Sequence, residues 1–166
     1  MEAIFNRRSI RKYTDEPVTD TELEALLRAA LSAPSAGNCH PWELIVVRDR
    51  ATLDAIADFH PYAAMLRQAP LALCVCGSLD RQRGDGYWVL DCSAATENIL
   101  IEAQALNLGA VWLGIYPRPE RVEKLTEILA LPENVQPLSL VAIGHPAEVK
   151  DTPDRLDYRF IHYEHW

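Results

Sequence analysis

The sequence predicts one domain of mixed helices and short strands, paired with a second copy of itself along a single long helix. Three observations predict this. Residues 87–106 contain no proline or glycine and place Val89, Leu90, Ala94, Ile99, Leu100 and Ile101 around nearly every face of a helix. A helix apolar all round must be buried all round. This one would span about 30 Å, more rod than one domain of 166 residues easily covers, so a twin helix is the natural cover. The wholly apolar run from Pro70 to Cys76 reads as a strand central in its sheet. The rest of the chain alternates amphipathic helical segments with short apolar strands.

Taken in order, residues 2–8 predict a short helix with Ile4 and Phe5 facing inward. Arg7-Arg8-Ser9-Ile10-Arg11-Lys12-Tyr13 then holds four of the sixteen basic residues within seven positions. Such a knot is either a solvated surface patch or an anion site, since guanidinium forks and a serine hydroxyl converge well on phosphate oxygens. Thr19 opens the next helix with Glu22 three residues on, a capping box. Leu23, Leu26, Leu27, Ala30 and Leu31 recur at spacings of three and four and define its core face. Pro34 to Trp42 is a loop of small and polar residues bracketed by prolines, surface or site rather than core. Trp42 to Val47 is a strand. Asp49 caps a helix carrying Leu53, Ile56 and Phe59 inward, and a further turn fits Tyr62 to Gln68.

Ser78 to Gly86 is hydrophilic and holds two glycines, which predicts a mobile loop. The adhesion-like tripeptide Arg83-Gly84-Asp85 within it is read as chance. After the long helix, Gly109 suits a left-handed C-terminal turn. Ala110 to Leu113 follows as a strand, and Gly114 marks a place where backbone comes close to something. Pro119 starts an amphipathic helix presenting Val122, Leu125, Ile128 and Leu129. Pro137 to Gly144 is the last strand. The tail through Tyr158, Phe160, Tyr163 and Trp166 is expected to lie across another surface, its own or a partner's.

Composition narrows the function. A net charge of −8 argues against nucleic acid as a partner. No apolar run is long enough to cross a bilayer and the first residues lack a signal-peptide core, so no membrane is expected and the cytoplasm is the expected compartment. Four cysteines at 39, 74, 76 and 92 do not make a secreted disulfide framework. Cys74 and Cys76, two apart on a strand, share a face and read as core thiols rather than a redox or metal pair. Cys39 beside His40 has the residue types of a nucleophile and base, yet loop neighbours rarely aim at each other. His162 and His165 read as tail residues, and no metal is expected. G-x-G-x-x-G, Walker, G-x-S-x-G and H-E-x-x-H patterns do not occur. What remains is a basic knot, a Pro/Ser/Asn loop, a glycine beside a Trp-bearing strand, and a dimer seam. Those are parts for holding a large, flat, anionic cofactor that brings its own chemistry.

These residues resemble the FMN-dependent nitroreductases along almost the whole chain. Arg7-Arg8-Ser9-Ile10-Arg11 is similar to the family's R-R-S-x-R opening. Ala33-Pro34-Ser35-Ala36-Gly37-Asn38 through Pro41-Trp42 resembles its A-P-S-x-x-N-x-Q-P-W loop, with His40 where the family usually has Gln. Asp91 to Asn98 and Leu108 to Gly114 resemble its central helix and glycine turn. Ile143-Gly144-His145-Pro146-Ala147-Glu148 resembles its I-G-x-P-x-E segment.

The resemblance implies an α+β fold, a mostly antiparallel sheet flanked by helices, in an intertwined homodimer with FMN in two interface clefts. It implies that Arg7 and Ser9 hold the phosphate with Arg8 nearby, that Arg155 returns to it from the tail, and that Arg11 reaches the pyrimidine edge of the flavin. Pro34, Ser35, Ala36, Asn38 and His40 of the other subunit would line the ring and ribityl chain. Leu113, Gly114 and Ile115 would run along the ring's far side, with a backbone N–H near N5. A lysine found in some members is not evident between Ala63 and Gln68, and the short chain implies reduced substrate-covering insertions. The implied activity is ping-pong electron transfer from NADH or NADPH to a nitroaromatic, quinone or similar small acceptor, with the flavin rather than a protein side chain carrying the chemistry. Flavin cleavage, reductive dehalogenation, FMN binding without turnover and a flavin-free dimeric adaptor are the alternatives.

Overall fold

Four strands, β1 (Trp42–Val47), β2 (Leu71–Ser78), β3 (Gly109–Gly114) and β4 (Val135–Gly144), pair antiparallel throughout in the order β1-β2-β4-β3. Among the described residues five α-helices accompany them: α1 (Glu2–Asn6), α2 (Asp20–Leu31), α3 (Arg50–Phe59), α4 (Tyr87–Ala105) and α5 (Pro119–Leu129). This computed structural model describes residues 2–84 and 86–166. Asp85, part of the expected loop and of the tripeptide, lies outside the described residues. The chain has the α+β architecture that the sequence resemblance implied.

The period-two alternation of strand side chains divides the core in two. Cys74 and Cys76 of β2, Val111 and Leu113 of β3, and Leu140 of β4 face Leu53 and Ile56 of α3 and Leu125 of α5. Leu71, Leu73 and Val75, with Val141 and Ile143, face Leu26 and Ala30 of α2 and Ala95 and Ile99 of α4. Strand β2 is buried along its whole length, as its unbroken apolar run predicts. Each fully buried leucine, such as Leu73 or Leu140, stabilises the fold by about 1.5–3 kcal/mol. The capping box is present: Thr19 Oγ1 accepts from Glu22 N–H at 3.2 Å and Glu22 Oε2 accepts from Thr19 N–H at 2.8 Å. Asp49 caps α3 through Thr52.

Several expectations need correction. Helix α1 ends at Asn6, and Ile4 and Phe5 are exposed rather than facing inward. Leu31, assigned to the core face of α2, is exposed, whereas Ala30 beside it is fully buried. Helix α4, for which a second copy was the expected cover, is not buried all round within one chain and so needs no correction on that point. Sheet and α2 cover one side, while Leu90 is 63% exposed and Ala94 and Ile101 are half-buried along one stripe. The left-handed residue after α4 is Asn107, at φ 59°, a conformation asparagine tolerates. Gly109 is needed for space instead, since a Cβ there would lie 2.6 Å from Ile10 Cγ2. In the hydrophilic loop between β2 and α4, Arg81 Nη2 donates to the Trp42 carbonyl at 3.2 Å and pairs with Glu43, which leaves the expected mobility of that loop untested. The tail holds a short 3-10 turn at Tyr158–Phe160, and its own chain leaves Tyr158, Phe160, Tyr163 and Trp166 exposed.

Candidate functional site

The basic knot is fixed by the free edge of β3. Ser9 bridges Ala110, and Ile10 N–H donates to the Ala110 carbonyl at 3.0 Å. Buried Tyr13 donates its hydroxyl to the Ile10 carbonyl at 2.8 Å and pairs with Pro146; burial pushes its phenol well above the usual range. Arg7 and Arg8 are thereby turned into a cleft of about 570 Å³ that also receives Arg155, with Ile4, Phe5 and Leu156 as apolar walls. Arg7 Nε lies 3.3 Å from Glu97. Arg8 Nε donates to the Asp151 carbonyl at 2.7 Å, whereas its buried Nη2 has no partner among the described residues. A buried charged donor without an acceptor is costly and suits an anionic oxygen. The Ser9 carbonyl accepts from Lys150 Nζ at 2.6 Å.

A second cleft, of about 400 Å³, is lined by Arg11, His60, Tyr62, Met65, Leu113 and Gly114, among others. The Ala110 carbonyl faces outward to Ile10 and the Gly114 carbonyl outward to His60 and Arg121. Alternate residues of a strand aim their backbone groups alike, so the main-chain groups of residues 110, 112 and 114 look away from β4. Leu113 and Ile115 turn buried side chains into the core, and Ile115 N–H donates to the Leu138 carbonyl of β4 at 3.2 Å, so of these three residues Gly114 is the one whose main chain faces outward. A Cβ on Gly114 would meet nothing within 4 Å, so the close approach expected there involves no neighbour among the described residues. His60 is buried, with Nε2 3.1 Å from the Gly114 carbonyl and Nδ1 accepting from Tyr62 N–H at 3.2 Å. Burial pulls its pKa below 6.5, against the Gly114 hydrogen bond, which raises it. Sequence reasoning missed His60, Tyr62 and Arg121. No local motif marks them, because they meet only across α3, β3 and α5.

The Pro34–His40 loop lies elsewhere, against the N-terminal half of α4. Ala36 N–H donates to Asp91 Oδ1 at 2.9 Å; Asp91 is buried, and its Oδ2 has no partner among the described residues. Gly37, Asn38 and His40 all have positive φ, 59°, 57° and 49°. Such backbone persists only where surroundings over-determine it. Here Ser35 Oγ accepts from His40 N–H at 3.0 Å, His40 Nε2 lies 2.7 Å from Asn38 Oδ1, and the His40 ring stacks on Trp42 at 5.3 Å. Cys39 directs its Sγ toward the Gly37 carbonyl, 3.8 Å away. Cys74 and Cys76 share a face with their sulfurs 3.5 Å apart; that hydrogen bond and burial push the Cys74 thiol up, as for an unreactive core group.

One chain therefore brings Arg7, Arg8 and Arg155 together, and Arg11 with Leu113 and Gly114. Ser9 contributes backbone beside them. Pro34, Ser35, Ala36, Asn38 and His40 line neither cleft.

The model of the nitroreductase family matches residues 4–63 and 59–145. The chain belongs to that family. It is 46% identical over 166 residues to a Methanothermobacter thermautotrophicus protein provisionally named NADH dehydrogenase/NAD(P)H nitroreductase, covering all of this chain and 87% of that one. The solved FMN-dependent nitroreductase of Clostridium difficile R20291 superposes with a TM-score of 0.93 at 30% identity, covering 100% of both chains. A Desulfovibrio desulfuricans protein provisionally named nitroreductase, solved in complex with FMN, superposes with a TM-score of 0.87 at 33% identity over 99% of this chain and 96% of that one. Among the described residues no helix is long and apolar enough to cross a membrane.

Proposed function

We propose that this family member is an FMN-dependent oxidoreductase that works as a homodimer, each flavin held between two chains. The observation that carries the reading is the arginine cleft. Arg7, Arg8 and Arg155 converge there, and the buried Arg8 Nη2 has no acceptor among the described residues, which fits the phosphate of FMN. When bound, FMN supplies the redox chemistry, taking electrons from NADH or NADPH and passing them to a nitroaromatic, quinone or similar small acceptor in alternating turns.

The chain's own residues bind and tune. Arg7, Arg8, Ser9 and Arg155 hold the phosphate. Arg11 sets a guanidinium at the pyrimidine edge, where it favours the reduced, anionic ring. Gly114, between Leu113 and Ile115, offers backbone along the ring, its main chain looking outward from β3. Pro34, Ser35, Ala36, Asn38 and His40 complete the site from the partner subunit, their loop already stiffened by Asp91, Ser35 and Trp42. The dimer reading is supported by the Leu90–Ala94–Ile101 stripe of α4 and the exposed aromatic tail. Both are apolar surfaces of the kind that partners cover.

The test is anaerobic addition of NADH or NADPH to the FMN-loaded protein. Loss of the visible flavin absorbance, restored on adding a quinone, is the expected result. An unchanged spectrum would leave a flavin binder without turnover.

A further inference from the structure

His60 and Arg121 meet on a single atom. The Gly114 carbonyl oxygen accepts from His60 Nε2 at 3.1 Å and from Arg121 Nη1 at 2.8 Å, so both of its lone pairs are engaged. The other ring nitrogen fixes the histidine tautomer. Tyr62 main-chain N–H can only donate, and it lies 3.2 Å from Nδ1. Nε2 therefore carries the single proton and the imidazole is neutral. The Arg121 guanidinium also sits 5.6 Å from the centroid of the Tyr62 ring, a cation–π contact that holds it in place. The cluster thus carries one positive charge, and that charge is on Arg121. Gly114, the atom group it grips, shares a cleft with Arg11.

We propose that His60 and Arg121 are positioning residues that clamp the Gly114 carbonyl and that Arg121 adds a second fixed positive charge behind the Gly114 wall of the cleft that Arg11 lines, favouring a reduced, anionic flavin ring there. The proposal rests on the FMN reading above. The two residues divide the work. His60 fixes the end of β3 without adding charge, while Arg121 fixes it and charges it. An uncapped carbonyl at this edge would turn lone pairs toward an electron-rich ring; with two donors on it, the wall offers the ring no free acceptor from that residue. A fixed positive charge held at a low-dielectric wall favours whichever ring state carries the extra negative charge.

The experiment measures FMN affinity by fluorescence quenching, then the midpoint potential of the bound flavin, in the full-length protein. Arg121→Met removes the charge and keeps the stem; Arg121→Lys keeps the charge. Arg121→Met is expected to bind oxidised FMN within about threefold of the parent while its potential falls by about 30 mV, the equivalent of a tenfold change for a two-electron couple. Arg121→Lys is expected to recover most of that fall. Should Arg121→Met not fold, Arg121→Gln, which keeps a donor for Gly114, carries the same expectation. A potential unchanged in the uncharged variant, or lowered equally in Arg121→Lys, overturns the proposal while leaving the FMN reading intact. A parent protein that does not quench FMN fluorescence at all overturns the reading on which it rests.

Discussion

Glu148 Oε1 accepts the main-chain N–H of Arg11 at 2.6 Å, across 137 residues of sequence. That bond holds the carboxyl below the usual glutamate range, with Lys150 helping. It also sets the direction from which the Arg11 side chain enters its cleft.

Removing this anchor should therefore act on the cofactor before it acts on the fold. Glu148→Ala is expected to weaken FMN binding about tenfold, the scale of one charge-assisted hydrogen bond, while Glu148→Gln, still able to accept, loses less. Fluorescence titration measures this; equal affinity in parent and Glu148→Ala would detach Glu148 from the site.

Asp91 acts on the loop proposed to complete the site from the partner subunit. Its Oδ1 holds Ala36 N–H at 2.9 Å beside three residues in left-handed backbone. Asp91→Ala leaves that donor without its acceptor and should cost about 1–3 kcal/mol of stability, read as a lowered urea midpoint. Asp91→Asn, which keeps the acceptor, should cost less.

Leu90 separates the dimer from the single chain. At 63% exposure within one chain, Leu90→Asp would be nearly neutral for an isolated protomer, within about 0.5 kcal/mol. On a dimer seam it buries a carboxylate and should drive the protein to monomer, with FMN lost. Light scattering distinguishes the two.

His60 predicts a pH dependence with a definite sign. Burial, with Arg121 adding to it, lowers its folded pKa below 6.5; the groups facing it are Arg121, Tyr62 and the Arg11 side of the cleft. Just below pH 6.5 the unfolded chain binds the proton that the folded chain refuses, so stability rises with pH there. As pH falls from about 7 through 6.5 toward the folded value, that stability is lost. Urea midpoints at about pH 5.5 and about 7.5 should differ in the parent, and differ less in His60→Asn.

Much of this was legible in the sequence because it is local. The capping box of α2, the Asp49 cap and the buried run of β2 each follow from a few adjacent residues, and all three are as read. One motif carries Arg7, Arg8 and Arg11, and the family resemblance adds Arg155; Arg7, Arg8 and Arg155 converge on one cleft, while Arg11 lines another. Contacts between distant segments were not legible. Nothing near Gly109 announces Ile10 as the neighbour that excludes a side chain, and nothing near Gly114 announces His60 or Arg121. The all-round apolar pattern of α4 likewise called for a cover that one chain does not supply at Leu90. Hydrophobicity says that a surface must be covered, and leaves open by which molecule.

The most direct measurement is the native mass spectrum of the FMN-reconstituted protein. Two chains carrying two FMN are predicted, reverting to flavin-free monomer in Leu90→Asp. A single chain retaining FMN, or a dimer that takes up none, would contradict a site shared between two copies.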